Sequence, residues 1–161
     1  MVHSMKVLVA TEGSKFSNAA INKCCALLDR STDTDIRIVA ASKPAVVPAE
    51  PFAISAEYIQ ALDEDSRMRA EKVVSIAEQE IRRRMPEIGN KLTTTVSSGA
   101  PAQVIVDEAE KWGADLIVVG SHGYGFWQRA LLGSVSNAVV HHAPCSVLVV
   151  RGNGAANGKN N

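Results

Sequence analysis

The chain has 161 residues, 46% of them hydrophobic, so it is long enough for one domain with a substantial core and too short for two. Seventeen basic and seventeen acidic side chains cancel, and the longest basic run is Arg82-Arg83-Arg84. This balance argues against a nucleic-acid partner or an electrostatic membrane anchor, and no apolar run approaches the roughly 20 residues of a membrane span.

The beginning of the chain shows no signal-peptide pattern, so we expect a cytoplasmic protein whose partners are small molecules or other proteins.

Residues 6–10 form a short apolar run typical of a strand, followed by the turn-forming Thr11-Glu12-Gly13-Ser14. Ser17 is predicted to cap a helix that continues to Arg30. A second strand is predicted over residues 36–41.

Pro44, Pro48 and Pro51 predict an irregular loop over residues 43–55. Residues 57–84 have the pattern of a long amphipathic helix with Ile59, Leu62, Val73, Ala77 and Ile81 near one face. A half-buried strand over 92–96 and a helix that begins near Pro101 follow.

The run Leu116-Ile-Val-Val119 is typical of a central parallel strand. A helix is predicted from Ser134 to His142, and a last strand over residues 146–150. Strands and helices therefore alternate, which predicts an α/β fold: a single doubly wound, five-stranded parallel sheet with helices on both faces. If the strand order is 3-2-1-4-5, the ends of the first and fourth strands meet at the switch point, where such folds bind ligands.

The segment after the fourth strand is rich in glycine: Gly120, Gly123 and Gly125 precede the pair Gly133-Ser134. Backbone amides at the start of the last helix would suit a phosphate group, and Ser134 and Ser136 add hydroxyl donors. The spacing does not match the P-loop or the dinucleotide-binding fingerprint. Taken alone, the glycines are equally compatible with simple turns.

Together these features resemble the ATP-binding branch of the universal stress protein family. Gly120-x-x-Gly123, nine residues and then Gly133-Ser134 resemble its Gly-x-x-Gly-x9-Gly-Ser/Thr signature. Similar passages include Gly99-x-Pro101 and Ala143-Pro144-Cys145, and the resemblance covers about residues 5–151. We therefore expect one domain over residues 1–151 and a disordered Gly/Asn-rich tail over residues 152–161.

The resemblance implies ATP at the carboxyl edge of the sheet, with backbone groups near Ala40 or Ala41 holding adenine. It also implies a Mg²⁺ or Mn²⁺ ion that Glu12, where the family usually has Asp, would contact through the phosphates. His122 is a further candidate for phosphate contact, although a solvent-facing side chain is an equal alternative. The complete set of predicted ATP-binding residues is Ala10, Thr11, Glu12, Ala40, Ala41, Gly120, His122, Gly123, Gly133, Ser134, Val135 and Ser136.

Family members commonly form dimers through the final strand, here residues 147–150, so a homodimer is expected, together with a protein partner that the sequence does not identify. The main hypothesis is a nucleotide-dependent stress-response regulator that binds ATP and hydrolyses it slowly at most, because few catalytic residues stand out. A nucleotide-independent dimeric scaffold and a flavodoxin-like electron carrier are the alternatives. The flavodoxin alternative is disfavoured because its phosphate loop would follow the first strand.

Overall fold

A computed structural model of the protein describes residues 4–28, 33–46, 55–122 and 132–152. Within these ranges strands and helices alternate as the sequence predicts. The strands are β1 (Met5–Ala10), β2 (Thr34–Ser42), β3 (Leu92–Ser98), β4 (Leu116–Gly120) and β5 (Ser146–Val150). The helices are α1 (Lys15–Leu27), α2 (Ala56–Arg84), α3 (Pro101–Trp112) and α4 (Ser134–His142), and a 3₁₀ segment (Pro86–Lys91) joins α2 to β3.

The five strands form one parallel sheet with the order β3-β2-β1-β4-β5, which confirms the predicted doubly wound fold. β1 is central: Val7 lies opposite Ile36 of β2 on one side and opposite Leu116 of β4 on the other. The strand order therefore reverses between β1 and β4, and their carboxyl ends border the predicted switch point.

Alternate side chains of β1 supply two hydrophobic cores, one on each face of the sheet. Val7 packs with Ile21 of α1 and Ile81 of α2 on the first face. Leu8 packs with core residues of α3 and α4 on the second face. Because helices cover both faces, the strand interiors can be apolar at every position, as the run in β4 predicted.

The predicted cap of α1 is wrong, because Ser14 rather than Ser17 caps this helix. The Ser14 hydroxyl oxygen accepts a hydrogen bond from the Ser17 amide at 3.2 Å, and the helix begins at Lys15. Ser17 is fully buried, and its hydroxyl donates to the Ser14 carbonyl at 3.1 Å. The start of α1 therefore lies one turn closer to the end of β1 than predicted.

The long helix α2 is confirmed over its whole predicted length, but its buried face agrees with the prediction only at Ala77 and Ile81. Its buried residues are Ala70, Val74, Ala77 and Ile81, whereas Leu62 is 40% exposed. A 29-residue helix is about 43 Å long, and the nine-residue β2 on which it packs spans about 30 Å. The helix is thus longer than the strand by about 13 Å, and none of its residues before Ala70 is buried, so its first half lies at and beyond the carboxyl edge of the sheet.

Parts of four predicted features lie outside the described residues: the end of the first helix, residues 47–54 of the proline-rich loop, residues 123–131 of the glycine-rich segment, and the tail from residue 153 onward. Within the part that is described, no helix is both long and apolar enough to cross a membrane. The expected cytoplasmic location stays a prediction.

Cys24 is buried in the core beside Cys25. Burial raises the pKa of the Cys24 thiol to about 12, which is consistent with a packing role.

Candidate functional site

A crevice of about 310 Å³ opens at the carboxyl edge of the sheet, where β1 and β4 end. Ten of the twelve residues predicted to bind ATP line it: Ala10, Thr11, Glu12, Ala41, Gly120, His122, Gly133, Ser134, Val135 and Ser136. Ala40 is nearly fully buried and lies in an adjoining groove. Gly123 lies outside the described residues.

Sequence reasoning missed five further residues of the crevice. Four of them are apolar and form a wall beside β2, β4 and α3, and the fifth is a lysine immediately after β2: Val39, Pro101, Ile105, Val119 and Lys43. All five lie near a strand's carboxyl end or the start of α3. These five residues could therefore have been predicted from the strand order, because it brings the carboxyl ends of the strands together at one edge of the sheet.

The N-terminus of α4 faces this crevice without a side-chain cap. Its N-cap residue is Gly133 in an extended conformation, whereas Ser14 and Ser55 cap α1 and α2 with their hydroxyl groups. The amides of Ser134, Val135 and Ser136 form the first turn, where no intrahelical acceptor is available. Unpaired amides and the positive end of the helix dipole favour an anion at this position.

The loop end of β4 is tied to the start of α4 through the carbonyl oxygen of Ser121. This oxygen accepts hydrogen bonds from the Gly133 amide at 2.7 Å and from the Ser136 hydroxyl at 2.9 Å. The Ser121 amide in turn donates to the carbonyl of Val150 at 2.8 Å. The Ser136 hydroxyl is therefore used within the protein, and the group that Ser136 can offer an anion is its amide. Ser134 is exposed, so its hydroxyl can point into the crevice.

Gly133 allows this close approach because it has no side chain. A Cβ atom at Gly133 would lie 3.2 Å from both the Cα of His122 and the carbonyl oxygen of Ser121. Few real Cβ contacts are so short, and both neighbours are backbone atoms. The glycine thus serves the packing of α4 against β4, which in turn directs the amides of α4 towards the crevice.

The end of β2 leaves backbone groups unpaired at the crevice. Pairing between β1 and β2 ends at Ala10 and Val39, whereas pairing between β2 and β3 continues to Ser42. The Val39 carbonyl accepts from the Thr11 amide at 3.0 Å, so it points towards β1. Because backbone groups alternate in direction along a strand, those of Ala41 also point to this side, past the end of β1. Ala41 rather than Ala40 therefore offers its N–H and C=O to the crevice.

Glu12 lies on the opposite rim, and the Ser14 hydroxyl donates a hydrogen bond to its carboxylate. Burial raises the pKa of the Glu12 carboxyl above its ordinary value, and the hydrogen bond from Ser14 partly opposes this rise. Among the described residues, no three His, Cys, Asp or Glu side chains cluster as a metal site. A cation near Glu12 would therefore need most of its ligands from a bound phosphate or from water.

Replacing Glu12 by glutamine is expected to stabilise the protein at neutral pH. A raised carboxyl pKa means that folding favours the protonated form, so stability is lost as the pH rises from the ordinary pKa through the raised pKa of the folded state. Below the ordinary pKa both states are protonated, and the wild type and Glu12→Gln should converge. Thermal unfolding of both proteins between about pH 3.5 and 8 measures this difference. A difference that is independent of pH would contradict the explanation.

His122 is fixed at the crevice by contacts on two sides. Its Nδ1 lies 3.0 Å from the hydroxyl oxygen of Ser121, within hydrogen-bond distance. Its ring packs against Phe16 of α1 with the centroids 5.3 Å apart and the planes tilted by 51°. The imidazole is therefore a positioned group of the crevice rather than a freely solvated one.

A parallel sheet with a ligand crevice at its switch point is an architecture that many nucleotide-binding α/β proteins use. The chain belongs to the universal stress protein family, whose model matches residues 3–151. Universal stress protein MJ0531 of Methanocaldococcus jannaschii is 37% identical over 150 residues, which cover 91% of this chain and 81% of that protein.

Two solved structures show the same fold. Universal stress protein UspA from Lactobacillus plantarum matches with a TM-score of 0.76 and 23% identity, over 94% of this chain and all of that one. A universal stress protein family protein from Arabidopsis thaliana, with AMP bound, matches with a TM-score of 0.63 and 22% identity, over 92% of each chain.

Proposed function

We propose that the protein binds ATP in the crevice and acts as a nucleotide-dependent regulator of a stress response. The observation that carries this proposal is the uncapped N-terminus of α4, whose amides line the crevice. Structural similarity to a family protein with AMP bound supports an adenine nucleotide as the ligand. The unassigned protein partner would recognise the nucleotide-loaded surface.

In the proposed complex the phosphates contact the amides of Ser134, Val135 and Ser136 and the hydroxyl of Ser134. Gly120 and Gly133 let α1 and α4 pack closely at the end of β4, which positions the α4 amides for the phosphates. Gly123, a further predicted contact, lies outside the described residues. Adenine forms hydrogen bonds with the backbone of Ala41 and packs on the apolar wall formed by Val39, Pro101, Ile105 and Val119. His122 adds a phosphate contact from the rim.

The proposed cation, Mg²⁺ or Mn²⁺, binds to phosphate oxygens and to the carboxylate of Glu12. Phosphates and a carboxylate are the ligands that Mg²⁺ usually takes in nucleotide sites, with water completing its octahedron. Glu12, Lys43 and His122 are the ionisable side chains of the described crevice. Efficient phosphoryl transfer needs a positioned nucleophile and several groups that stabilise the γ-phosphate charge, so this set favours binding with slow hydrolysis at most.

We also propose a homodimer formed through β5. β5 is an edge strand of the sheet, and Val147, Leu148 and Val149 are only partly buried in the single chain. Pairing with a second copy would cover an apolar edge that otherwise invites aggregation. The same surface would serve the alternative function, a dimeric scaffold that needs no nucleotide.

The test is calorimetric titration of the nucleotide-stripped protein with Mg-ATP and, separately, with AMP. We expect saturable binding near one ATP per chain, and weaker binding of AMP because it lacks the β- and γ-phosphates. A folded protein that binds neither nucleotide would favour the scaffold. Turnover of about 1 per second or faster, lost in Ser134→Ala, would instead identify an enzyme.

A further inference from the structure

A second and larger cavity lies next to the crevice, on the side of β2 that faces α2. It has a volume of about 810 Å³, within the range of small-molecule sites. We call it the α2 groove and define it by Ala41, Lys43, Leu62, Arg69, Lys72 and Val73. The α4 amides that line the nucleotide crevice are not part of it.

The groove exists because the first half of α2 extends beyond the sheet. Among the residues from Ala56 to Arg69 none is fully buried, so this half of the helix lacks a sheet beneath it. A hydrogen bond from the Ala45 amide to the Asp63 carboxylate, 2.6 Å long, ties it to the chain that leaves β2. The space between these two walls is the groove.

The wall of the groove combines apolar and cationic side chains. Ile76 is 56% exposed there, and Val73, one turn earlier on α2, is half-buried. Leu62 is 40% exposed and lies about 16 Å further along the helix. The neighbouring side chains of Val73 and Ile76 present an apolar surface that a ligand can cover. Three cations stand around this apolar surface: Lys43, Arg69 and Lys72.

Cationic side chains outnumber acidic ones along the groove, which favours an anionic ligand. Arg69 pairs with Asp65 one turn earlier on α2, and Glu12 is the single acidic side chain among the described residues that line the groove. Within the described chain, Lys43 and Lys72 have neither an ion pair nor a hydrogen bond. A ligand that supplies an apolar body and a negative charge would satisfy both features.

We propose that the α2 groove binds an organic monoanion with an apolar body, specifically a free medium-chain alkyl carboxylate. The alkyl chain covers Val73 and Ile76, and the carboxylate pairs with Lys72 and Lys43. This site shares Ala41 and Lys43 with the nucleotide crevice, but it differs from the crevice in its α2 wall and in its ligand class.

The experiment is calorimetric titration with octanoate, decanoate and decyltrimethylammonium, each below its micelle concentration. Decanoate should bind saturably, and about tenfold more tightly than octanoate, because it buries two more methylenes. The cationic amphiphile should show no saturable binding, because Lys43 and Lys72 repel it. Equal binding of the anionic and cationic amphiphiles would overturn the proposal, since it would indicate hydrophobic adsorption only.

Variants at exposed positions locate the ligand. Ile76→Asp and Lys72→Glu should each weaken decanoate binding at least about fivefold, since each places a repelling charge in the groove. The matched controls, Leu27→Asp on α1 and Lys111→Glu on α3, carry equivalent changes at exposed positions away from the groove and should bind like the wild type.

Two further outcomes would overturn the proposal. The first is unchanged affinity in Ile76→Asp and Lys72→Glu. The second is loss of decanoate binding in Gly133→Val, which alters the nucleotide crevice, without loss in Ile76→Asp. Circular dichroism confirms that each variant is folded. Failure of decanoate to bind a protein that still binds ATP would refute the groove site alone.

Discussion

Replacing Gly120 by alanine is expected to lower the free energy of unfolding by about 3 kcal/mol, at the upper end of the usual cost of overpacking. A Cβ atom at this position would lie 2.7 Å from the carbonyl carbon of Phe16, 2.8 Å from its oxygen and 2.9 Å from the Ser17 amide nitrogen. All three are backbone atoms of the first turn of α1, so no side chain can move aside. In a chain of this size the loss corresponds to about 6–12 °C in Tm.

Gly113 provides the matched control for Gly120→Ala. It ends α3 in the left-handed conformation with a φ of 70°, and a Cβ atom there would meet nothing within 4 Å. Gly113→Ala should therefore cost only the backbone penalty of about 1–2 kcal/mol. Urea unfolding of both variants compares the two costs. If Gly120→Ala is no more destabilising than Gly113→Ala, α1 does not pack on β4 as closely as described.

The contact between α1 and Gly120 explains why β4 ends in a glycine. The conformational freedom of glycine is not required here, since the φ of Gly120 is not in the left-handed region. The absence of a side chain is required, because α1, capped by Ser14, begins directly above Gly120. Gly120 thus has a packing role that holds whether or not a nucleotide binds, and it lies on the crevice as well.

Much of the fold could be predicted from the sequence because local signals agreed with one another. The continuous apolar run in β4 indicated a strand covered on both faces, and Pro101 marked the first turn of α3. The order of elements then left few topologies for a parallel sheet. Most of the predicted site residues lie together for the same reason: they follow the carboxyl ends of neighbouring strands.

What the sequence could not reveal depends on distances between separate segments. The length of α2 relative to the sheet decides that Leu62 is exposed, and a helical repeat alone carries no such information. The hydroxyl of Ser136 bonds to Ser121, fifteen residues earlier, so its use within the protein could not be foreseen from a signature. Ser14 and Ser17 are both acceptable caps, and the close approach of α1 to Gly120 favours the earlier one.

The sharpest test of the proposed phosphate site is Ser134→Pro. Ser134 is the first residue of α4, and proline is well tolerated at this position because its missing N–H has no intrahelical partner. Gly133 before it is extended, with a ψ of 161°, as a residue preceding proline should be. The substitution therefore removes one amide donor and one hydroxyl from the crevice while α4 stays intact.

We expect Ser134→Pro to weaken ATP binding at least about tenfold, because a hydrogen bond to a charged group contributes about 1.5–3 kcal/mol. Its Tm without nucleotide should stay within about 2 °C of the wild-type value, since the helix loses no internal bond. Ser134→Ala keeps the amide and removes only the hydroxyl, so it should lose less affinity. If Ser134→Pro binds Mg-ATP as tightly as Ser134→Ala, the amide of residue 134 does not contact phosphate. Any phosphate contact with the start of α4 would then have to come from the amides of Val135 and Ser136.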